Sequence, residues 1–343
     1  MITTQPLLID GSLGEGGGQI LRSSLALSMI TSRPFRIQNI RANRPKPGLR
    51  RQHLTAVLAA AAVSTADVTG AKIDSKEVTF VPQTAQAGNY YFDVGSAGST
   101  MLVLQTILPA LMIADGPSTI TLAGGTHNIG APPLPFLEKT FLPRIAQMGP
   151  RVQLKLDRAG FAPRGGGHSQ VEISPTRLAP IELLERGPVR RKLAKATIAG
   201  LPRDIAEREL KLAARVLDLK NDQLLIEELP ADQGPGNLVT IEIETDNLTT
   251  VFTAFGGKGI RAEEVARDAC RQAKRYLDRD VPVDEHLADQ LLLPMALAGG
   301  GAFITTEPSL HATTNIETIK RFIDVRIDVD EISKHRFRVQ VQK

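Results

Sequence analysis

Tryptophan is absent from this 343-residue sequence, and aromatic residues together make up only 4% of it. Single-strand binders built on ranks of stacked rings need more than that, so any nucleic-acid contact here must lean on charge and hydrogen bonds. The sole cysteine, Cys270, excludes an internal disulfide framework and any zinc site of several thiolates. It fits a reducing, cytoplasmic setting. Long apolar runs are lacking too: no segment reaches the ~20 residues that cross a bilayer. Met1 to Leu8 show no basic stretch followed by an apolar run, so neither membrane insertion nor secretion is expected. A formal charge of +4 permits a polyanionic partner without demanding one. What the chain has is 42% hydrophobic and 23% charged residues, enough for a sizeable core divided between two domains.

One pattern recurs three times along the chain, as helix, short break, strand, loop, helix. Its first copy has a helix over Ile20–Ile30, a break at Ser32–Pro34, a strand over Phe35–Ile40, a loop over Arg41–Leu49 and a helix from Arg51. In the second, the helix Met101–Ile113 and the strand Ser118–Leu122 precede a Gly/Pro-rich loop, Gly124–Pro135, and a helix Phe136–Ala146. The third has the helix Leu287–Ala298, the strand Ala302–Thr306, a loop carrying His311 and the helix Ile316–Phe322. Apolar residues returning every three or four positions mark the helices, and short alternating runs such as Lys76–Val81 and Arg336–Val341 mark strands. Between the second and third copies lies a segment of different character. It opens at Glu185–Lys192, closes near Asp278–Pro282, and contains helices over Ile205–Leu217 and Ala262–Leu277 and a strand over Leu238–Thr245. The pattern predicts a smaller domain inserted into a larger one.

Residues able to carry chemistry concentrate in the loops of the first and third copies. Gly14–Gly18 put a glycine-rich loop at the entry to an apolar helix, where outward-pointing amides suit phosphate oxygens. A tight packing turn is the plainer account, since the run matches neither a P-loop nor a dinucleotide fingerprint. Glu15 would repel phosphate unless a divalent cation lay between them, so it is a candidate metal ligand; a solvated acid near a helix start is the alternative. Arg41, Arg44, Lys46, Arg50 and Arg51 crowd the stretch around Pro45 and Pro47 and read as a phosphate clamp. His311 stands apart from the other histidines because a neutral imidazole is an available nucleophile near neutral pH, although a lone histidine is usually structural. Asp284 and Asp289 flank one helix end; Asp284 reads as a helix-start acid, and Asp289 stays a candidate. Cys270 reads as a core residue.

Taken together, Gly14–Arg22, Arg41–Gln52, Gly95–Gln105, Gly165–Gly167, Asp232–Asn237 and the His311 loop resemble the RNA 3'-terminal phosphate cyclases, over nearly the whole chain. The resemblance implies an α+β (α/β) fold: a large domain of three βαβαββ repeats, like the C-terminal domain of a bacterial translation initiation factor, over 1–184 and 280–343. A thioredoxin-like domain would be inserted over 185–279. It implies a ligase in which His311 attacks the α-phosphate of ATP, AMP passes to an RNA 3'-phosphate, and the neighbouring 2'-hydroxyl closes a 2',3'-cyclic phosphate. Glu15 would hold Mg2+ or Mn2+; Arg22, Arg41, Arg44 and Gln52 would engage phosphates. Gln105, Pro132, Phe136 and Asp289 would bind the nucleotide, with Phe136 packing on the base. One departure is visible: His286 stands where family members can carry Tyr, which leaves stacking at that position open.

Two other readings compete. A catalytically dead relative serving as an RNA-binding assembly factor would not need His311, and an enolpyruvyl transferase of similar repeats would explain the arginines without ATP. A lysine-type ligase is disfavoured, because the nearest string to K-x-D-G, Lys72-Ile73-Asp74-Ser75, lacks the glycine. The sequence leaves the oligomeric state open, a homodimer included.

Overall fold

The recurring pattern folds into three sheets of identical strand order in the computed structural model, which describes residues 5–343. Of the opening segment Met1 to Leu8, residues 1–4 lie outside the described residues. The first unit comprises β1 (Leu7–Asp10), α1 (Gln19–Thr31), β2 (Phe35–Gln38), α2 (Arg51–Ser64), β3 (Asp67–Thr69) and β4 (Val78–Val81). The second comprises β5 (Asn89–Asp93), α3 (Thr100–Leu111), β6 (Ser118–Gly124), a helical run of α4 (Leu134–Phe136), a π-helix (Leu137–Phe141) and α5 (Leu142–Met148), then β7 (Arg151–Arg158) and β8 (Gly167–Ser174).

A third unit opens with β9 (Glu182–Leu183) and is then interrupted. The interruption contains β10 (Val189–Ala199), α6 (Arg203–Leu217), β11 (Leu224–Leu229), β12 (Gly236–Thr245), β13 (Thr249–Phe255) and α7 (Ala262–Arg279). The unit resumes with α8 (Glu285–Ala298), β14 (Gly300–Thr305), α9 (Leu310–Phe322), β15 (Arg326–Ser333) and β16 (Arg336–Gln342). Its sheet runs β9-β14-β16-β15, matching β1-β2-β4-β3 and β5-β6-β8-β7, with the first pair parallel and the others antiparallel each time. The interrupting segment forms its own sheet, β11-β10-β12-β13, over a separate core that includes Cys270. Burial pushes the Cys270 thiol up to about 11, so it packs as an inert hydrophobe.

Sequence pattern explains how these elements stack. In β6, Ser118, Ile120, Leu122 and Gly124 alternate inward with residues less buried. Helix α3 is apolar on every side and buried at every position but Gln105, as suits a helix enclosed by others. The first helix of each unit packs on the second helix of the unit before it: α3 on α2, α8 on the π-helix, and α1 on α9, which closes the ring. Among the described residues no helix is long and apolar enough to cross a membrane.

The inserted sheet is moored to the second unit. Phe161, in the β7–β8 connection, joins Ala159, Ala199 and Leu238 in a small apolar cluster. Arg158 donates to the Asp232 carboxylate (2.6 Å) and carbonyl (2.9 Å), and the Ala159 amide donates to Gln233 Oε1 (2.9 Å). Gly236 is required here, because a Cβ on it would sit 2.3 Å from the Phe161 ring. Asp232–Asn237 is thus a docking loop.

Two expectations need correction. His311 lies in the first turn of α9 and not in a loop; the helix starts at Leu310, six residues before Ile316. Ser309 caps it by accepting from the Ala312 amide (3.2 Å), and Thr313 and Thr314 turn their hydroxyls back to carbonyls of Ser309 and Leu310. Those bonds let a run of β-branched polar residues continue as helix. The helix expected over Phe136–Ala146 begins at Leu134 and widens into π-helix before Pro143, the residue that cannot donate to a regular ladder.

Candidate active site

The ring of helices brings the glycine loop, α1, α3, α8 and α9 together around His311. Gly14 and Gly16 both adopt left-handed φ (+54° and +59°). A Cβ on Gly14 would strike the Thr314 hydroxyl at 2.1 Å, so the loop lies directly against α9. The Thr314 hydroxyl in turn accepts from the Glu15 amide (3.1 Å). This contact sets the Glu15 carboxylate 4.0 Å from His311 Nε2. The glycine loop is thus a packing turn that also brings Glu15 to the side of His311.

A hydrogen-bond chain fixes the imidazole. Asp289, in the second turn of α8, accepts from Gln19 Nε2 (2.6 Å) and from Asn315 Nδ2 (3.0 Å). Asn315 Oδ1 accepts from the Ser23 hydroxyl (2.8 Å). Because the Gln19 amide nitrogen is committed to a carboxylate, its Oε1 faces His311 Nδ1 at 2.9 Å and can only accept there. Nδ1 therefore carries the proton. The lone pair is left on Nε2, directed to the side where Glu15 lies.

Charge in the site is strongly perturbed by burial. His311 is held below its ordinary value, first by desolvation, with Arg22, Arg44 and His286 acting in the same sense and Asp289 opposing. It is neutral at pH 7, the form in which an imidazole keeps a free lone pair. Burial raises Asp289, against the pull of His311, its hydrogen-bond donors and Arg22. Arg22, enclosed at the pocket wall with its Nε on Gln105 Oε1 (3.2 Å), is lowered to about 10. His53, in the first turn of α2, is pushed down to about 3 by burial and by Arg22, Arg41, Arg50 and Arg44. The surroundings are cationic and favour an incoming polyphosphate.

Below His311 a pocket opens at the centre of the helix ring. Gln19, Arg22 and Ala26 of α1, Gln105 and Pro109 of α3, and Asp289, Gln290 and Pro294 of α8 line it, beside Leu137 and Phe141 of the π-helix. When the three helices are superposed by sequence, Arg22, Gln105 and Gln290 share one position and Ala26, Pro109 and Pro294 another. Each proline removes the amide that would have bonded the carbonyl four residues back, leaving those of Gln105 and Gln290 without a helical partner.

Of the residues singled out in the sequence, Glu15, Arg22, Arg44, Gln105, Asp289 and His311 converge, with the Arg44 guanidinium against Glu15. The remainder take other tasks. Arg41 turns into its own loop, donating to the carbonyls of Lys46 (2.6 Å) and Gly48 (2.8 Å), and Arg50 pairs with Asp74. Gln52 accepts from the Ser99 amide (2.9 Å) at the start of α3, and Pro132 is half-buried. Phe136 is 2% exposed and packed in the main core, so its ring has no face open to a base. Asp284 caps α8 through the amides of His286 (2.8 Å) and Leu287 (3.3 Å), while His286 itself is exposed. Sequence reasoning missed Gln19, Asn315 and His53. For Gln19 the available signal was an amide side chain at the first turn of an apolar helix, a place where burial forces it to find a partner.

Comparison with known proteins bears on this arrangement. The family model described as RNA 3'-terminal phosphate cyclase matches residues 13–329. A curated protein of Koribacter versatilis named RNA 3'-terminal phosphate cyclase is 53% identical over 95% of this chain and 92% of its own length. Proteins of the same name from Ectopseudomonas mendocina and Pseudomonas fluorescens are 47% and 49% identical, over 98% and 97% of this chain and 98% and 96% of theirs. The glycine loop, the arginines of the first unit and the His311 helix all fall inside the matched span, and the chain belongs to the RNA 3'-terminal phosphate cyclase family.

Proposed function

We propose that this chain converts an RNA 3'-phosphate to a 2',3'-cyclic phosphate at the expense of ATP, through an adenylate on His311. The carrying observation is the chain Asp289–Gln19–His311, which leaves an unprotonated Nε2 beside Glu15 in a cationic setting. Nε2 forms a bond to the α-phosphorus of ATP as the bridging bond to diphosphate breaks. An oxygen of the RNA 3'-phosphate then displaces Nε2 and takes up AMP. Finally the 2'-oxygen attacks the activated 3'-phosphorus, losing its proton, and AMP departs with the bridging oxygen. Each step is an in-line displacement whose main demands are positioning and charge neutralisation. Gln19 Oε1 answers the charge that develops on the ring as Nε2 bonds to phosphorus, because it holds the Nδ1 proton throughout.

Both Glu15 oxygens are buried without a hydrogen-bond partner, and the Arg44 guanidinium is the group against them. A buried carboxylate that accepts no hydrogen bond and faces a guanidinium would fit one ligand of Mg2+ or Mn2+, with phosphate oxygens and water completing the shell. Among the described residues no group of three or more His, Cys, Asp or Glu could hold a cation alone. A bound cation would add charge neutralisation at the phosphates. Arg22 and Gln105 at the pocket wall, with Arg44, support the nucleotide-binding role; Gln52, Arg41, Pro132 and Phe136 would act through loop and core geometry. The catalytic unit would comprise 1–184 and 280–343, with 185–279 as an accessory domain, in a cytoplasmic protein.

Incubation with ATP radiolabelled at the α-phosphate, without RNA, tests the reading. Acid-labile label on the wild type and none on His311→Ala is expected. No label on the wild type in the presence of Mg2+ or Mn2+ would overturn it.

A further inference from the structure

We propose that the exposed face of α7 is a track for the RNA strand upstream of the 3'-end. The proposal rests on the function argued above and adds where the rest of the substrate lies. Arg267, Arg271, Lys274, Arg275 and Arg279 line a groove with Val216 of α6, and Asp278 is the lone acid among its walls. At 100° per residue these cations fall within one arc of the helix, opposite the buried Val265, Ala266, Ala269, Cys270, Ala273 and Tyr276. From Arg267 to Arg279 the row extends about 18 Å along the axis.

An ordinary solvated helix face mixes its signs and pairs them. Here, from Arg267 to Arg279, five cations stand against two acids, Asp268 and Asp278, while Glu263 and Glu264 sit in the first turn and Glu263 is already paired with Arg208. Arg271 pairs with Asp268, and Arg275 approaches Glu285 at 3.6 Å. Among the described residues Arg267, Lys274 and Arg279 have no carboxylate partner. The last turn of α7 also leads towards the site, since Glu285 opens α8, the helix that presents Asp289 to Gln19. With tryptophan absent and aromatics at 4%, the chain must hold a strand by charge. Such a face fits a single-stranded polyanion lying along it with its 3'-phosphate at His311.

The test uses the full chain and its triple variant Arg267→Gln, Lys274→Gln, Arg279→Gln. Binding of a long 3'-phosphorylated oligoribonucleotide is followed by fluorescence anisotropy across a salt series, beside turnover of that oligonucleotide and of a very short one. Removing three phosphate contacts should lower the log–log salt slope by about 2. Over a fourfold rise in salt the wild type should then lose roughly 20-fold more affinity than the variant. Turnover of the short substrate and labelling of His311 without RNA should be unchanged. An unchanged slope would overturn the track and assign the face to another partner, as would equal loss on short and long substrates. Failure of the wild type to label His311 would instead count against the activity, while the binding slope still reports on α7.

Discussion

Replacing Gln19 by Ala should slow adenylation of His311 by about 10- to 100-fold. The side chain makes two bonds in one line, donating to Asp289 Oδ1 at 2.6 Å and accepting from His311 Nδ1 at 2.9 Å. As Nε2 bonds to phosphorus the ring becomes cationic, and the bond at Nδ1 changes from neutral to charge-assisted. Such bonds contribute about 1.5–3 kcal/mol, and each ~1.4 kcal/mol is tenfold in rate. The fold should survive, because Asp289 keeps its Asn315 donor at 3.0 Å. The assay is single-turnover labelling by α-phosphate-labelled ATP as a function of pH, with thermal melting as the control. In the wild type the rate should rise with pH through a His311 value lying below 6.5 and then level off. Gln19→Glu provides a readout that a structural role would not move. A carboxylate at Nδ1 stabilises the imidazolium, so the rising limb should shift to higher pH. If Gln19→Ala labels within twofold of wild type, and Gln19→Glu leaves the pH limb in place, the imidazole is not oriented by this chain.

Glu15→Gln should raise the divalent-metal concentration needed for half-maximal labelling, whereas an unchanged metal dependence would remove Glu15 from that role. Glu209, fully buried and bonded to Asn237 Nδ2 at 3.0 Å, is raised from 4.5 to about 7 chiefly by desolvation. The folded state therefore retains a proton that the unfolded state loses, so stability should fall between pH 4.5 and 7 by about 3 kcal/mol in total. Urea melts of Glu209→Gln should show a shallower decline over that window; a decline as steep as that of the wild type would discount the group. Gly236→Ala places a methyl 2.3 Å from the Phe161 ring and should destabilise by about 1–3 kcal/mol in chemical melts. An unshifted melt would mean that the docking contact relaxes freely.

Periodicity made the repeats legible where a helix buries one stripe against a neighbour, as in α7, and a nearly unbroken apolar run marked the enclosed α3; three of the four sheets share one strand order. Two edge strands were not legible: β9 contributes two residues to its sheet, β3 only three, too few to display alternation. His311 drew attention by its chemistry, but its helix was hidden by Thr313 and Thr314, whose hydroxyl bonds exist only once the backbone has turned. Gln19 looked like a failed glycine, and nothing local told of Asp289, 270 positions away. Phe136, which the resemblance made a base contact, lies in the main core, a burial that no local pattern announced.

The short strand β9 has a consequence for how the chain is made. Leu183 pairs with Phe303, and the inserted sheet with its two helices lies between them in the chain. A nascent chain leaving the ribosome can complete its first two units in order, then must hold β9 open while an entire second core forms. The sheet beneath His311 closes last, after β16 supplies the strand on the other side of β14. Products terminated before residue 311 would thus carry intact early units yet lack His311, and would fail the adenylation proposed above.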